Sequence, residues 1–284
     1  MTRIDRRALF TSGAAAALLT ATGVSLDAAP RGGGRMRLAV PRPDGAFIPA
    51  ARGAVFETLT EIGPDGVLKG ALATGWQSDA DARIWTLTLR DGVHFHDGRA
   101  FGAADVLASL ETHGMWENAA VAQAEQSGAL QVRLELAAGN PQLPYMLSNA
   151  DLVIAPADDV TGALAQGIGT GLYRTRRQTP GRDFLGDRVA QHYKDGQAGW
   201  VDSIEIVVIP DAAVRAEALR DGFVDVAELP LAQGLRGRGD FRFHPSADDM
   251  ALAANHNVGL PKTISARAPL DDGRIAERWW MTRA

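Results

Sequence analysis

Two imidazoles two residues apart, His94 and His96, with Asp97 beside them, are the side chains best suited to chemistry. On a strand, residues i and i+2 share a face, so this run offers two nitrogens and a carboxylate of the kind that hold zinc or nickel. No third ligand is placed by the rest of the sequence, and Asp97-Gly98 reads as a turn. The solvent side of a hairpin is therefore the reading adopted, with no metal and no cofactor assigned. Gly167-Ile168-Gly169-Thr170-Gly171 has the look of a phosphate-cradling loop, but it lacks the Lys and following Ser/Thr of a P-loop. A tight crossing of two backbone segments accounts for it. The nucleophile elbow Gly-x-Ser-x-Gly does not occur, and there are no cysteines, which excludes thiol nucleophiles, Cys-ligated metals and disulfides together. A hydrolase would need a Ser and a His within hydrogen-bond reach in one pocket, and no catalytic residue is assigned.

The elements that position these residues follow from apolar periodicity. Met36 to Val40 reads as a strand stopped by Pro41 and Pro43, and Ala54 to Ile62 as a short helix ended by Gly63-Pro64-Asp65-Gly66. Ile84 to Arg90 alternates with period two. Asp91-Gly92 supplies a turn that tolerates positive φ, and Val93 to His96 is expected to run back as the second arm of a hairpin. Ala103 to Glu111 reads as helix, Gln131 to Leu136 as strand, and Asn140 to Pro144 as a proline-marked loop. Ile204 to Ile209, a helix over Ala212 to Arg220 capped by Asp211, and Phe223 to Ala227 form a βαβ unit, which places its two strands parallel in one sheet. Hairpins together with a βαβ unit define an α/β chain with a mixed sheet. Trp76, Trp85, Phe95 and Phe101 read as core. Phe47, Trp116 and Tyr145 fall in segments of loop character.

The chain has 284 residues, 46% hydrophobic and 22% charged, enough apolar material for a real core. Lys and Arg number 29 against 34 Asp and Glu, a net charge of −5 with no basic block, which argues against a nucleic-acid partner. No apolar run reaches the roughly 18–20 residues of a membrane-spanning helix. Arg3, Arg6 and Arg7 lead an uncharged run from Gly13 to Leu26, the build of a secretory signal, and Asp5-Arg6-Arg7-Ala8-Leu9-Phe10 resembles the twin-arginine export motif. Residues 1–30 are thus expected to be a cleaved export signal and 31–35 a flexible tether, giving a periplasmic protein.

Val55-Phe56-Glu57-Thr58-Leu59-Thr60, Ala71-Leu72-Ala73-Thr74-Gly75-Trp76 and the long run from Trp85 to Gly98 closely resemble the signature block of the family 5 extracellular solute-binding proteins, the dipeptide, oligopeptide and nickel receptors of ABC importers. The likeness continues through Ala104 to Glu111, Gly169 to Tyr173, Ile209-Pro210-Asp211 and Val224 to Ala227. Leu252 to Asn255 and Pro269 to Ile275 match less closely. Gly102 stands where a Thr or Ser cap is usual, with Asp105 three residues on, and Leu172 replaces a proline.

The resemblance implies a periplasmic binding protein-like first lobe over 36–230, with 231–284 holding the remnant of the crossover and the start of a second lobe that is otherwise largely absent. In the family the ligand lies between two lobes. What is implied here is the substrate-binding component of a peptide-type ABC transporter, with a peptide or similar small solute as ligand and an inner-membrane ABC permease as partner. Ligand contacts are expected from Phe47, Glu57, Trp116, Tyr145 and Asn149, which lie in connections rather than in regular elements. A homodimer through Trp279-Trp280-Met281 is one source of a second wall. The alternative is an accessory or interaction module that keeps the lobe fold without binding ligand.

Overall fold

The computed structural model describes residues 30–118, 120–230, 235, 241–245, 250–261 and 274–282. The expected leader, apart from Pro30, and the Pro269 to Gly273 part of the resemblance lie outside them. The strands are β1 (Arg35–Val40), β2 (Thr60–Ile62), β3 (Leu68–Gly70), β4 (Ala73–Ser78), β5 (Ile84–Leu89), β6 (Val121–Gly128), β7 (Gln131–Leu136), β8 (Tyr173–Thr179), β9 (Asp183–Arg188), β10 (Ser203–Val208), β11 (Val226–Pro230), β12 (Phe241–Pro245), β13 (Met250–Asn255), β14 (Val258–Gly259) and β15 (Trp280–Met281).

Seven of them form a mixed sheet in the order β12-β13-β11-β1-β10-β9-β8, in which β1 runs parallel to both β10 and β11. The central position of β1 explains its composition. Met36, Leu38 and Val40 face one core with Ile204, Ile206 and Leu252, while Ala39 faces another with Ala227, Ala253 and Leu219. Its second half is buried on both faces and apolar throughout, whereas on the Ala39 face its first half carries Arg35 and Arg37, paired with Glu205 and Asp225. The helix Ile48–Val55 packs on the first face and the helix Ala212–Arg220 supplies Leu219 to the second. A second sheet, β4-β5-β7-β6, is antiparallel, and its apolar face is covered by Val106 and Leu110 of the helix Ala103–Thr112 together with Phe95 and Phe101. Ile168 packs against both cores.

The βαβ unit forms with β1 seated between its two strands. Asp211 caps its helix, the side chain accepting from Ala213 N at 2.7 Å and Val214 N at 3.1 Å. Asp211→Ala is expected to cost about 1 kcal/mol by urea unfolding, the usual loss for an N-cap oxygen.

Two expectations fail in instructive ways. Ala54 to Ile62 is not one helix: the helix ends at Val55, Phe56 is extended, and Thr60–Ile62 is a strand. The run from Val55 to Leu59 is apolar enough for either state, but here it threads between the two sheets. The Asp91-Gly92 turn does not make a hairpin of Ile84–Arg90 with Val93–His96. The partners of β5 are β4 and β7, and Val93 and Phe95 turn back on Arg99 and Phe101 through Asp97-Gly98. Val93 and Phe95 are both buried, so burial under the second sheet outweighs pairing with β5. Asn140 to Pro144 also runs into a short helical turn, Leu143–Met146. At the other end, Gly33 N donates to Trp200 O at 2.8 Å and Asp202 N to Gly34 O at 2.8 Å, fixing these glycines, both at positive φ, to the start of β10.

Candidate functional site

Where the chain leaves the first helix, Glu57 turns inward and becomes the centre of a buried ionic cluster. Its backbone is fixed by Gly171 N donating to Val55 O (2.8 Å) and Ile154 N to Glu57 O (2.9 Å). Its side chain, 2% exposed, accepts from Thr170 Oγ1 at 3.0 Å and from Tyr193 OH, with Lys194 Nζ at 3.3 Å and His192 Nε2 at 3.5 Å. Lys194 also reaches Glu61 at 2.7 Å and Glu277 at 2.8 Å. Arg274 holds the same two carboxylates, each at 3.0 Å, and donates to Thr58 Oγ1 at 3.1 Å.

The charges interlock. Burial alone would raise the Glu57 carboxyl, but Lys194, His192 and Tyr193 overcome it and hold the group well below the usual carboxylate range. Glu277 is likewise held low against its burial by Lys194 and Arg274. Burial and the neighbouring Glu57 push the Tyr193 hydroxyl well up, so it stays a proton donor. Glu57 and Glu277 are held ionised and all three carboxylates are bonded, which suits an electrostatic clasp rather than general-acid or general-base work. The clasp joins the segment after the first helix, the 192–194 loop and the 274–278 turn.

The sequence-predicted residues are dispersed around it. Glu57 is the centre of the clasp. Phe47 is 3% exposed and belongs to the core under the helix Ile48–Val55. Tyr145 is 51% exposed in the Leu143–Met146 turn, and Asn149, also exposed, accepts from Asp151 N at 3.0 Å. Trp116 lies in the short helix Met115–Asn118, and its side chain is outside the described residues. Sequence reasoning missed His192, Tyr193, Lys194 and Glu277. Arg274 fell within the resemblance, but nothing in its neighbourhood marked it as buried.

His94 and His96 part company. His94 Nδ1 lies 3.1 Å from Gly92 O, while His96 Nε2 lies 2.8 Å from Gly171 O and its backbone N donates to Gly169 O at 2.9 Å. Burial keeps the His96 imidazole below its ordinary range, hence neutral. Among the described residues no group of His, Asp or Glu side chains is placed to hold a metal ion. The Gly167–Gly171 loop is the backbone crossing expected of it, with Gly169 and Gly171 lying against Val55. Trp279 is 1% exposed and packs into the first core, and Trp280 is buried in the β14–β15 pair. The dimer surface expected there finds no support, since Trp279 is covered and Trp280 is 8% exposed, on the wall of a recess.

A mixed sheet centred on parallel strands, joined to an antiparallel sheet through a backbone crossing, is the architecture of a lobe of the periplasmic solute-binding proteins. The sequence pattern of the bacterial extracellular solute-binding proteins, family 5 Middle, matches residues 67–274, and the chain belongs to this family. An HTH-type transcriptional regulator, SgrR of Salmonella typhi, is 28% identical over 170 residues, covering 55% of this chain and 28% of the regulator. The nickel-binding periplasmic protein of Escherichia coli K12 is 25% identical over 191 residues, covering 62% of this chain and 36% of that protein. The chain thus spans well under half the length of either relative. Among solved structures, the periplasmic binding protein DppA of Helicobacter pylori in complex with the peptide STSA superposes with a TM-score of 0.65 at 21% identity, over 76% of this chain and 51% of that one. MoaA of A. tumefaciens R10 in complex with mannopinic acid gives 0.67 at 20% identity, over 75% and 49%. At these identities the likeness is one of fold. Among the described residues no helix is long and apolar enough to cross a membrane.

Proposed function

We propose that this chain is the periplasmic substrate-binding component of a peptide-type ABC transporter, capturing peptides or similar small solutes for an inner-membrane permease after export and signal cleavage. The observation that carries the reading is the parallel trio β10-β1-β11. Its C-terminal ends bring the Pro41–Ile48 connection, Ile209-Pro210-Asp211 and the end of β11 to one edge of the sheet. In open α/β sheets that edge is where ligands bind. Pro43–Phe47 of this connection is a helical turn rather than the loop expected at Phe47; it leads straight into Ile48, which is 46% exposed, and rests on the buried Phe47. Of the other candidates, Tyr145 and Asn149 are exposed and free to meet ligand directly, and Glu57 would act by holding its segment in place. DppA holds a peptide, MoaA mannopinic acid, and the Escherichia coli relative binds nickel, which supports a small solute as the ligand class.

Calorimetric titration with mixed di- to pentapeptides tests this. A saturable heat at micromolar to millimolar concentration is expected. A flat trace from well-folded protein would instead support the accessory module, a lobe that keeps its fold without ligand.

A further inference from the structure

At the opposite end of the seven-stranded sheet, where Pro30 leads into β1 and Trp200 into β10, lies a recess of about 420 Å³. That is room for a small organic molecule, within the ordinary range of ligand sites. Its walls combine the aromatic side chains of Tyr193, Trp200 and Trp280 with Arg90, Lys194 and Glu61. The acids on this wall are spoken for: Glu61 and Glu277 are each bonded by both Lys194 and Arg274. Arg90 is not. Its Nε donates to Ala71 O at 2.9 Å and its guanidinium lies 4.0 Å over the Tyr193 ring. No acidic side chain among the described residues pairs with it. A guanidinium whose plane is fixed by a carbonyl and an aromatic face keeps its two terminal nitrogens as a fork, the shape that binds a carboxylate bidentately.

We propose that this recess is a second binding site, distinct from the edge at the C-terminal ends of the strands, and that it takes a small monocarboxylate with an aromatic or apolar body. The carboxylate sits on the Arg90 fork and the body lies against Trp200 and Trp280. A free aromatic acid and the C-terminus of a short peptide carry the same chemistry.

The test is calorimetry on the full chain with indole-3-acetate, N-acetyl-Ala-Trp, and the amide of each as a probe lacking the charge. At least one acid is expected to bind, and its amide at least tenfold more weakly. Arg90→Gln is expected to weaken the acid at least tenfold, and Arg90→Lys to restore it only in part. The tighter of the two acids identifies the source. Trp200→Leu, which leaves the fork intact, is expected to weaken both the acid and its amide, and serves where Arg90→Gln unfolds. Neither acid binding, acid and amide binding alike, or an unchanged affinity in Arg90→Gln and Trp200→Leu would overturn the proposal. Heat from the peptide mixture that persists in Arg90→Gln belongs to the strand-end edge, whereas peptide heat lost in Arg90→Gln would remove the transporter reading and leave this site standing.

Discussion

Lys194→Met is expected to destabilise the protein by roughly 3–5 kcal/mol, the range for removing one partner of a buried ion pair. Methionine keeps most of the length and volume of the side chain, so the loss is one of charge rather than packing. Glu57 would then keep only the Thr170, Tyr193 and His192 contacts, and Glu61 and Glu277 would share Arg274, with Arg278 near Glu277. Three carboxylates would lose the one cation that reaches all of them. Adding Glu277→Gln to Lys194→Met removes one excess charge, so the double variant should recover part of the loss, a coupling read from a double-mutant cycle.

The pH dependence follows from the same groups. Glu57 and Glu277 have lower pKa values in the folded protein than in the unfolded chain, where a Glu titrates near about 4.3. Their contribution is therefore complete above that value and is lost as the pH falls through the folded values. Without Lys194 burial raises these carboxyls instead, and the variant relieves its charge by taking up protons. Urea midpoints at a series of pH values should show the gap between wild type and Lys194→Met widest near neutrality and narrowing toward pH 4. A gap that stays constant would mean that the lysine acts through its stem and not its charge.

The sequence showed the strands and helices wherever one residue type repeated at the period of its element. Met36 to Val40, Gln131 to Leu136 and Ala212 to Arg220 all fall where periodicity puts them. It misled at Val55 to Ile62 and at Val93 to His96, where short apolar runs have no period of their own and the packing between the two sheets decides. The resemblance carried the fold further than periodicity did. The clasp was hidden for a different reason. Tyr193 reaches Glu57 across 136 positions and Arg274 reaches Thr58 across 216, and no local pattern encodes a contact of that separation. A helix from Ala54 to Ile62 would have held Glu57 within it; the helix ends at Val55 instead, and that ending puts Glu57 in a connection. That its carboxylate turns inward is a consequence of what the 192–194 loop and the 274–278 turn bring to meet it.

Gly169→Ala is expected to cost about 3 kcal/mol, at the upper end of what one added methyl does in a packed interior. A Cβ at this position would lie 2.2 Å from Val55 O and 2.6 Å from Phe56 Cδ1, and one at Gly171 would lie 2.6 Å from Val55 C. The obstacle is main chain, which has no rotamer to yield. Relief requires the two segments to separate, and the bonds that hold the crossing would stretch with them: Gly171 N to Val55 O at 2.8 Å, His96 N to Gly169 O at 2.9 Å, and His96 Nε2 to Gly171 O at 2.8 Å. Ile168 would be drawn from its place between the two cores, and Glu57, two residues past Val55, would shift against Lys194. The substitution therefore weakens the clasp and the crossing together. Gly75→Ala provides the comparison, since a Cβ there meets nothing within 4 Å and φ is not positive. Its cost should be about 0.5 kcal/mol, since the methyl has open space beside the irregularity at Ala73–Gly75 and no main chain stands in its way. Equal urea midpoints for the two variants would show that the crossing is not what fixes the sheets to each other.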